Sequence, residues 1–216
     1  IKQAILSVAS DGLTTVRYPT GHQDHLDVAV RRAVLTGVAQ TALQLQSVRA
    51  DEMAQDLVQV SAHIGARNKG EGPENHESWQ GKIYSRSGLD PKYPNFVEVT
   101  GYGTGEGLGG FNCRHSWFPF FEGISENAYT AEDLKNFADK KVKYNGKTID
   151  FYSATQEQRK LERHIRYWKR QSGALEAAGI DNSNEIEKVK FYQAKLRDFI
   201  RQTGLSRQYV RERVLY

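Results

Sequence analysis

The chain has 216 residues and a formal net charge of +4, and it is 38% hydrophobic and 11% aromatic. This length fits one large domain or two small ones, and the aromatic content excludes an intrinsically disordered chain. No apolar run approaches the roughly 18 residues of a transmembrane helix, and the single cysteine excludes an intrachain disulfide and a four-cysteine zinc site. The chain opens at Ile1 without a signal-like segment. We therefore expect an upstream part to be missing, and a reducing, intracellular place of assembly.

Positive charge is concentrated at the C-terminal end. Residues 151–216 hold 14 Lys and Arg against 8 Asp and Glu, whereas residues 1–150 hold 16 against 18. We therefore predict an α+β body at 1–150 and a basic helical region at 151–216. A basic surface suits nucleic acid or an acidic protein, although a solvated helix face accounts for most single charges.

The N-terminal half is predicted to alternate helices with short strands. Helices are predicted over 1–10, ended by Asp11 and Gly12, and over 24–53, where the periodic apolar residues are Leu26, Val30, Val34, Val38 and Leu45. Strands are predicted over 13–18, stopped by Pro19, Thr20 and Gly21, and over 57–62, 82–85 and 96–100. The loop at 65–81 is too rich in glycine and charge to be predicted as core.

The second half begins with a glycine-rich stretch, GYGTGEGLGG, at 101–110. An aromatic segment at 111–121 is predicted as strand or buried loop. Thr130 and the acidic residues after it predict a helix over 130–140, and Asn145-Gly146 predicts a β-hairpin over 142–152. Charged helices follow at 155–178 and 184–203, with Gly179 and Gly204 as stops, and a short helix begins near Ser206. The predicted fold class is α+β: a compact mixed body with short strands, a Gly-rich loop and a β-hairpin, followed by a basic C-terminal α-helical hairpin.

Four side chains in or beside the loops could carry chemistry: His63, His76, Cys113 and His115. Imidazole and thiolate are ligands that zinc prefers, and Cys113 and His115 would point to the same face of a strand. The alternatives are a Cys113 thiolate activated by a histidine, or a buried hydrogen-bonded cluster without chemistry. The spacing leaves all three open, and no cofactor is expected other than zinc at this cluster.

The glycine-rich stretch indicates positive φ angles or a closely approached backbone. Residues 105–110 match the pattern G-x-G-x-x-G, but no amphipathic helix follows them, and no Gly-Lys-Ser/Thr is present. Nucleotide binding by this loop is therefore not expected.

A second chemical set combines Arg67, Ser85 and Glu106, with Arg114 in the same region. An arginine, a strand serine and a glutamate are the ingredients of ADP-ribosyl transfer. The alternative is a set of structural ion pairs and an ordinary strand end.

Six basic residues crowd one predicted helix and are interleaved with Tyr167 and Trp168: Arg159, Lys160, Arg163, Arg166, Lys169 and Arg170. Such a helix could neutralise several DNA phosphates, so that binding would be salt-dependent and without base specificity.

Three long blocks of the sequence resemble the phage minor capsid protein 2 family: 61–85, 93–125 and 152–170. Segments 27–38 and 203–214 extend the resemblance over essentially the whole chain. The part of the resemblance that is most specific to the family is the motif W-Q-G-K-x-Y-S, followed by T-G-Y-G-T-G-x-G-L and N-C-R-H-S. The motif positions are His63, Arg67, His76, Trp79, Gln80, Gly81, Tyr102, Gly103, Gly105, Asn112, Cys113, Arg114 and His115. More distantly, the chain is similar to Mu F-type head morphogenesis proteins.

The resemblance implies a structural minor head protein of a tailed phage or prophage, present in the virion and assembled in the host bacterial cytoplasm. It implies association with the portal and major capsid proteins, or with packaged double-stranded DNA, in head assembly or DNA delivery; no membrane partner is expected.

Because Mu F-like proteins are sometimes fused to toxin domains, an enzymatic alternative is kept, although the structural role is favoured. It is an ADP-ribosyltransferase-like or metal- or Cys-dependent site within 61–121, with Arg67, Ser85, Glu106, Cys113 and His115 as candidates.

Two positions depart from the family pattern. Asn68-Lys69 stands where Arg-Pro is common, with extra residues ahead of His76, and Gly109 stands where a cysteine is common. Without that second cysteine, a Cys-based metal site has less support.

Overall fold

The computed structural model describes residues 1–11, 15–19 and 21–214. The chain groups into two compact units: a central unit, residues 30–140, and a terminal unit, residues 1–29 with 141–216. The predicted helix end at Gly12, the start of the predicted strand 13–18 and its stop at Thr20 lie outside the described residues. The predicted domain boundary at residue 150 stays a prediction.

The secondary structure mixes helices and short strands. The helices are α1 (Lys2–Asp11), α2 (Leu26–Glu52), α3 (His76–Trp79), α4 (Phe96–Thr100), α5 (Ala131–Ala138), α6 (Phe151–Ala177) and α7 (Ser183–Thr203). The strands are β1 (Thr15–Arg17), β2 (Gln23–His25), β3 (Leu57–Val60), β4 (Ile83–Ser85), β5 (Trp117–Pro119), β6 (Lys141–Tyr144) and β7 (Lys147–Asp150). One-turn 3₁₀ helices lie at Gly72–Glu74 and Tyr209–Glu212. The predicted α+β class with a C-terminal helical hairpin is confirmed.

The central unit is built on an antiparallel sheet in the order β4-β3-β5. Val58 of β3 pairs with Tyr84 on one side and with Pro119 on the other. Large side chains are packed around this sheet with almost no exposure, and they are Trp79, Tyr84, Phe96, Leu108 and Trp117. Every residue of β3 is buried, which explains why a strand of four residues can organise the unit.

Two predictions for this unit are wrong. Residues 96–100 form helix α4 and not a strand, because the Asn95 carboxamide oxygen accepts from the backbone N–H groups of Val97 and Glu98. Gly101, with φ of 61°, then ends the helix in the left-handed conformation. The segment 65–81 is also not a solvated loop, since His76, Trp79 and Gln80 are buried in it.

The terminal unit packs α6 against α7. Its core contains Leu161 and Ile165 of α6 and Leu196 and Phe199 of α7. The predicted hairpin is confirmed as β6 and β7, with Asn145 and Gly146 both at positive φ, as a two-residue type I′ turn requires. Helix α6 begins earlier than predicted, because the Asp150 side chain accepts from Ser153 N and caps it.

Candidate functional site

Two segments of the central unit carry the predicted histidines and the cysteine. Helix α3 begins at His76, and its one turn ends at the fully buried Trp79, which anchors the helix in the core. Cys113 and His115 lie in the extended segment that leaves the glycine-rich loop and enters β5. The indole N–H of Trp79 donates to the Pro73 carbonyl at 3.0 Å, which fixes the approach to α3.

The structure brings three of the four predicted ligands together. A ring nitrogen of His76, a ring nitrogen of His115 and the Cys113 sulfur lie within 4.8 Å of one another. Cys113 Sγ is 3.6 Å from His115 Nδ1. The imidazoles of His76 and His115 are buried, and Trp79 contacts both, with ring centroids 4.6 and 4.8 Å away. We call these three side chains the His–Cys cluster.

Hydrogen bonds fix the outer sides of both imidazoles. His76 Nε2 lies 2.8 Å from the Glu106 carbonyl oxygen, and His115 Nε2 lies 3.1 Å from Gln80 Oε1. The same Gln80 oxygen accepts the backbone N–H of His63 at 3.0 Å, which sets the orientation of the amide. Both oxygens only accept, so both Nε2 atoms donate, and the lone pair of each neutral ring is on Nδ1.

Burial keeps the His–Cys cluster neutral. It lowers the pKa of His76 to about 4 and that of His115 to about 2, and neighbouring cationic groups add to both shifts. Burial also raises the pKa of the Cys113 thiol. A neutral thiol beside neutral imidazoles is the opposite of the thiolate–imidazolium pair that a cysteine nucleophile uses.

His63, the fourth predicted ligand, lies beside the cluster. Its ring stacks on that of His115 with centroids 4.3 Å apart. Its Nδ1 lies 3.1 Å from the Ile64 carbonyl oxygen, while its Nε2 is buried with no hydrogen-bond partner among the described residues. Burial lowers the pKa of His63 as well.

In the glycine-rich loop, the backbone at Gly107 and Gly110 passes very close to the backbone of earlier residues of the same loop. A Cβ on Gly107 would lie 2.3 Å from the Gly101 carbonyl oxygen, and one on Gly110 would lie 2.3 Å from that of Gly105. Arg67 braces the loop from outside by donating to the carbonyls of Glu106 and Phe111. The glycines thus serve close backbone approach, as predicted.

Of the predicted ADP-ribosyl transfer residues, Arg67 and Glu106 are in contact with each other, whereas Ser85 has a separate set of contacts. The Ser85 hydroxyl donates to Asp56 at 2.6 Å and accepts from Gly88 N. Glu106 instead neighbours Glu74, whose pKa it raises through a shared hydrogen bond and charge repulsion. Arg67 therefore braces the loop through the Glu106 carbonyl, and Ser85 is the last residue of β4, with its hydroxyl holding the turn that follows.

Half of the predicted basic cluster on α6 is used inside the terminal unit. Arg166 donates to the Arg211 carbonyl, Lys169 donates to that of Glu212, and Arg170 is paired with Asp27 at 2.9 Å. Arg159 is half-buried, which leaves Lys160 and Arg163 as the exposed members.

Sequence reasoning missed a companion to these two residues on α7. Lys160, Arg163 and Lys195 all lower the pKa of His164, next to the larger effect of burial, so their charges converge on it. His164 stacks on Tyr192 with centroids 4.6 Å apart, and Lys195 lies over the exposed Phe191 ring. We call these six residues the hairpin face. The antiparallel pairing of two charged helices was the signal that could have revealed it.

A second surface that sequence reasoning missed is on α2. The residues it turns toward the protein are small or polar, such as Arg32, Thr36 and Ala39, with Leu43 and Ala50 buried. Each residue advances about 100° around the helix axis, so the residues two positions after these lie about 200° away, on the opposite side of α2. That side is exposed. It consists of Val34, Val38, Thr41, Leu45 and Val48, and its valines and leucine are 48–65% exposed. We call it the α2 face.

The spacing of the α2 face is four, three, four and three residues, the heptad spacing of a helix that packs against another helix. The apolar residues whose periodic spacing predicted the helix therefore lie on its exposed side.

In the part of the chain that the structure describes, no helix is long and apolar enough to cross a membrane.

The chain was compared with known proteins. A sequence model of the family described as "Phage minor capsid protein 2" matches residues 1–201. A structural protein of Lactococcus phage LL-H is 29% identical over 209 residues, which cover 92% of this chain and 51% of that protein. A structural protein of Lactococcus phage mv4 is 34% identical over 131 residues, which cover 58% of this chain and 95% of that protein.

The chain thus spans about half the length of the LL-H protein. No solved structure matches it. The family match extends from the N-terminal helix almost to the end of α7, so it includes the His–Cys cluster, the α2 face and the hairpin face. The resemblance drawn from the sequence motifs is confirmed: the chain belongs to the phage minor capsid protein 2 family.

Proposed function

We propose that the chain is a structural component of the phage head, held there by a helix of the portal or major capsid protein that packs on the α2 face. The observation that carries this proposal is the inverted orientation of α2. Burial of apolar side chains is the main favourable contribution to protein association, yet α2 directs mostly small and polar residues inward and three valines and a leucine outward.

The heptad spacing of the α2 face sets the chemistry of its partner. Each apolar position of such a stripe inserts between side chains of a facing helix. Exposed charges flank the stripe, among them Arg31 and Arg49, and can pair with acidic residues beside the partner's apolar seam. The partner is therefore an amphipathic helix of another head protein with acidic flanks.

Two substitutions test this contact. Val34→Glu with Val38→Glu places two carboxylates where the partner helix would pack. Losing the burial of two valines, at about 1.5 kcal/mol each, weakens binding about a hundredfold. The measurement is sedimentation velocity or fluorescence anisotropy with the purified portal protein and, separately, with the purified major capsid protein.

The matched control is Gln40→Glu with Gln44→Glu, which introduces two carboxylates at exposed positions on the flank of the same helix. We expect it to bind as the unmodified chain does. Equal binding by both double variants would exclude the α2 face as the contact. Self-association that is abolished only by the valine substitutions would instead make the partner a second copy.

We also propose that the chain contacts packaged DNA through the hairpin face. Three cationic side chains, Lys160, Arg163 and Lys195, converge there beside the exposed ring of Phe191 and the half-buried ring of Tyr192. Cationic groups neutralise phosphates, and rings supply stacking surfaces that tolerate any sequence. This composition fits duplex binding that does not depend on base sequence.

The salt dependence of DNA binding tests this second proposal. Replacing Lys160, Arg163 and Lys195 with alanine should weaken binding to a random duplex and reduce the slope of log affinity against log salt by about 3. The control triple variant removes Lys141, Lys143 and Lys147, which are exposed on β6 and β7. If both triple variants reduce the slope of log affinity against log salt equally, DNA binding depends only on the total charge of the chain, and the hairpin face is excluded as the DNA contact.

A further inference from the structure

We propose that the His–Cys cluster is a zinc site, with His76, Cys113 and His115 as its protein ligands. The proposal is independent of the contacts on the α2 face and the hairpin face. It rests on the separation of the three donors, on the hydrogen bonds around them, and on the segments that they join.

The donor separation matches a tetrahedral metal. Zn–S and Zn–N bonds of about 2.3 and 2.0 Å at a tetrahedral angle place the sulfur and nitrogen atoms about 3.6 Å apart. Cys113 Sγ and His115 Nδ1 are 3.6 Å apart. The His76 nitrogen completes the group within 4.8 Å, so small side-chain movements close three ligands on one ion.

The surrounding hydrogen bonds are those of metal-binding imidazoles. A ligand histidine commonly donates its second N–H to a carbonyl or carboxylate, which fixes the ring orientation and makes the ligand nitrogen more basic. His76 donates to the Glu106 carbonyl and His115 to Gln80 Oε1. These hydrogen bonds leave Nδ1 of each ring as the metal-binding nitrogen, and a bound cation deprotonates the thiol.

His63 supplies an independent observation. Its Nε2 is buried with no hydrogen-bond partner in the described part of the chain, although its ring stacks on that of His115. An orphaned buried nitrogen costs folding free energy unless another group satisfies it. Because its ring stacks on that of His115, this nitrogen is a candidate for the fourth coordination position.

The site would join segments that are far apart in sequence. His76 opens α3, whereas Cys113 and His115 follow the glycine-rich loop, and Gln80 ties both segments to residue 63. A metal here would fix the loop against α3, a structural role that suits a head protein.

The test uses the full chain, purified without a histidine tag. Elemental analysis should find about one zinc per chain, and chelation should lower the melting temperature until zinc is returned. Cobalt(II) added to the metal-free chain should give the visible bands of a four-coordinate ion and a thiolate-to-cobalt charge-transfer band. Because the chain has one cysteine, that band can come only from Cys113.

Substitutions assign the ligands. Cys113→Ser should remove the charge-transfer band, and His76→Ala should weaken zinc binding more than about a hundredfold, since loss of an outer hydrogen bond alone costs ten- to a hundredfold. The control is His22→Ala, at an exposed histidine outside the cluster, which should leave the charge-transfer band and the zinc affinity unchanged. Cobalt binding by the unmodified chain without a thiolate band, or no zinc at all, would overturn the proposal even if the variants fail to fold.

Discussion

Replacing Trp79 with alanine is expected to destabilise the central unit by about 4 kcal/mol, the largest effect that we predict for a single residue. The indole is fully buried, and it packs against the rings of both His76 and His115. Its N–H donates to the Pro73 carbonyl, so truncation leaves both a cavity and an unpaired acceptor. Since the total stability of a domain is about 5–15 kcal/mol, a loss of about 4 kcal/mol would remove roughly a quarter to four fifths of it.

The measurement is urea denaturation followed by circular dichroism. The control is Trp79→Phe, which keeps an aromatic ring against the histidines and loses only the N–H and part of the volume, so its loss should be about 1–2 kcal/mol. A further control is Leu89→Ala, at a side chain that is 86% exposed, with an effect within about 0.5 kcal/mol. A loss below about 1 kcal/mol for Trp79→Ala would contradict the packing described.

Replacing Gly107 with alanine is expected to cost about 3 kcal/mol, because one methyl group would overlap backbone atoms. The added Cβ would lie 2.3 Å from the Gly101 oxygen and 2.5 Å from the Thr100 oxygen. Neither oxygen can move as a flexible side chain does. Relief would push the loop away from the end of α4 and break the hydrogen bond from Leu108 N to the Thr100 carbonyl.

Gly37→Ala is the matched control for this prediction. Gly37 lies within α2, with no described heavy atom within 4 Å of an added Cβ. Alanine there should raise the free energy of unfolding by up to about 1 kcal/mol through its higher helix propensity. Thermal melts of the two variants should therefore move in opposite directions. An unchanged melting temperature for Gly107→Ala would show that the backbone at residue 107 does not lie so close to the carbonyl oxygens of Thr100 and Gly101.

The elements with strong local signals could be predicted from the sequence. Asn145-Gly146 specified a hairpin, because both turn positions need positive φ, and Thr130 with Asp133 specified the capped start of α5. The grouping of His76, Cys113 and His115 followed from their residue types and positions in the motif. These features depend on side-chain and backbone chemistry within a few residues, which a single sequence displays directly.

Two kinds of feature were not predicted: the short helix α4, whose local capping residues compete with a strand-like composition, and the features that depend on tertiary packing. The segment 96–100 is rich in β-branched residues, yet the cap of Asn95 and the left-handed Gly101 made it helical. Trp79 is buried although its neighbours in sequence are polar, since one turn of helix is enough to insert it into the core. Which side of α2 faces the protein depends on residues distant in sequence, so the apolar periodicity predicted the helix but not the side that it buries.

Charge patterning had the same weakness. Six basic residues on α6 looked like one surface in the sequence, but Arg166 and Lys169 satisfy backbone carbonyls and Arg170 pairs with Asp27. A helix that is charged all round still has an inner side. Only the pairing of α6 with α7 shows which charges remain at the surface and that Lys195 joins them.

The most direct test of the account is the amount of this chain in purified phage heads. The gene would be replaced by the Val34→Glu and Val38→Glu variant or by the Gln40→Glu and Gln44→Glu control, and the copy number per head measured by quantitative mass spectrometry. With equal amounts of folded chain in both lysates, we expect the normal copy number for the control and at least about a tenfold loss for the valine variant. Equal incorporation of the two variants would contradict assembly through the α2 face.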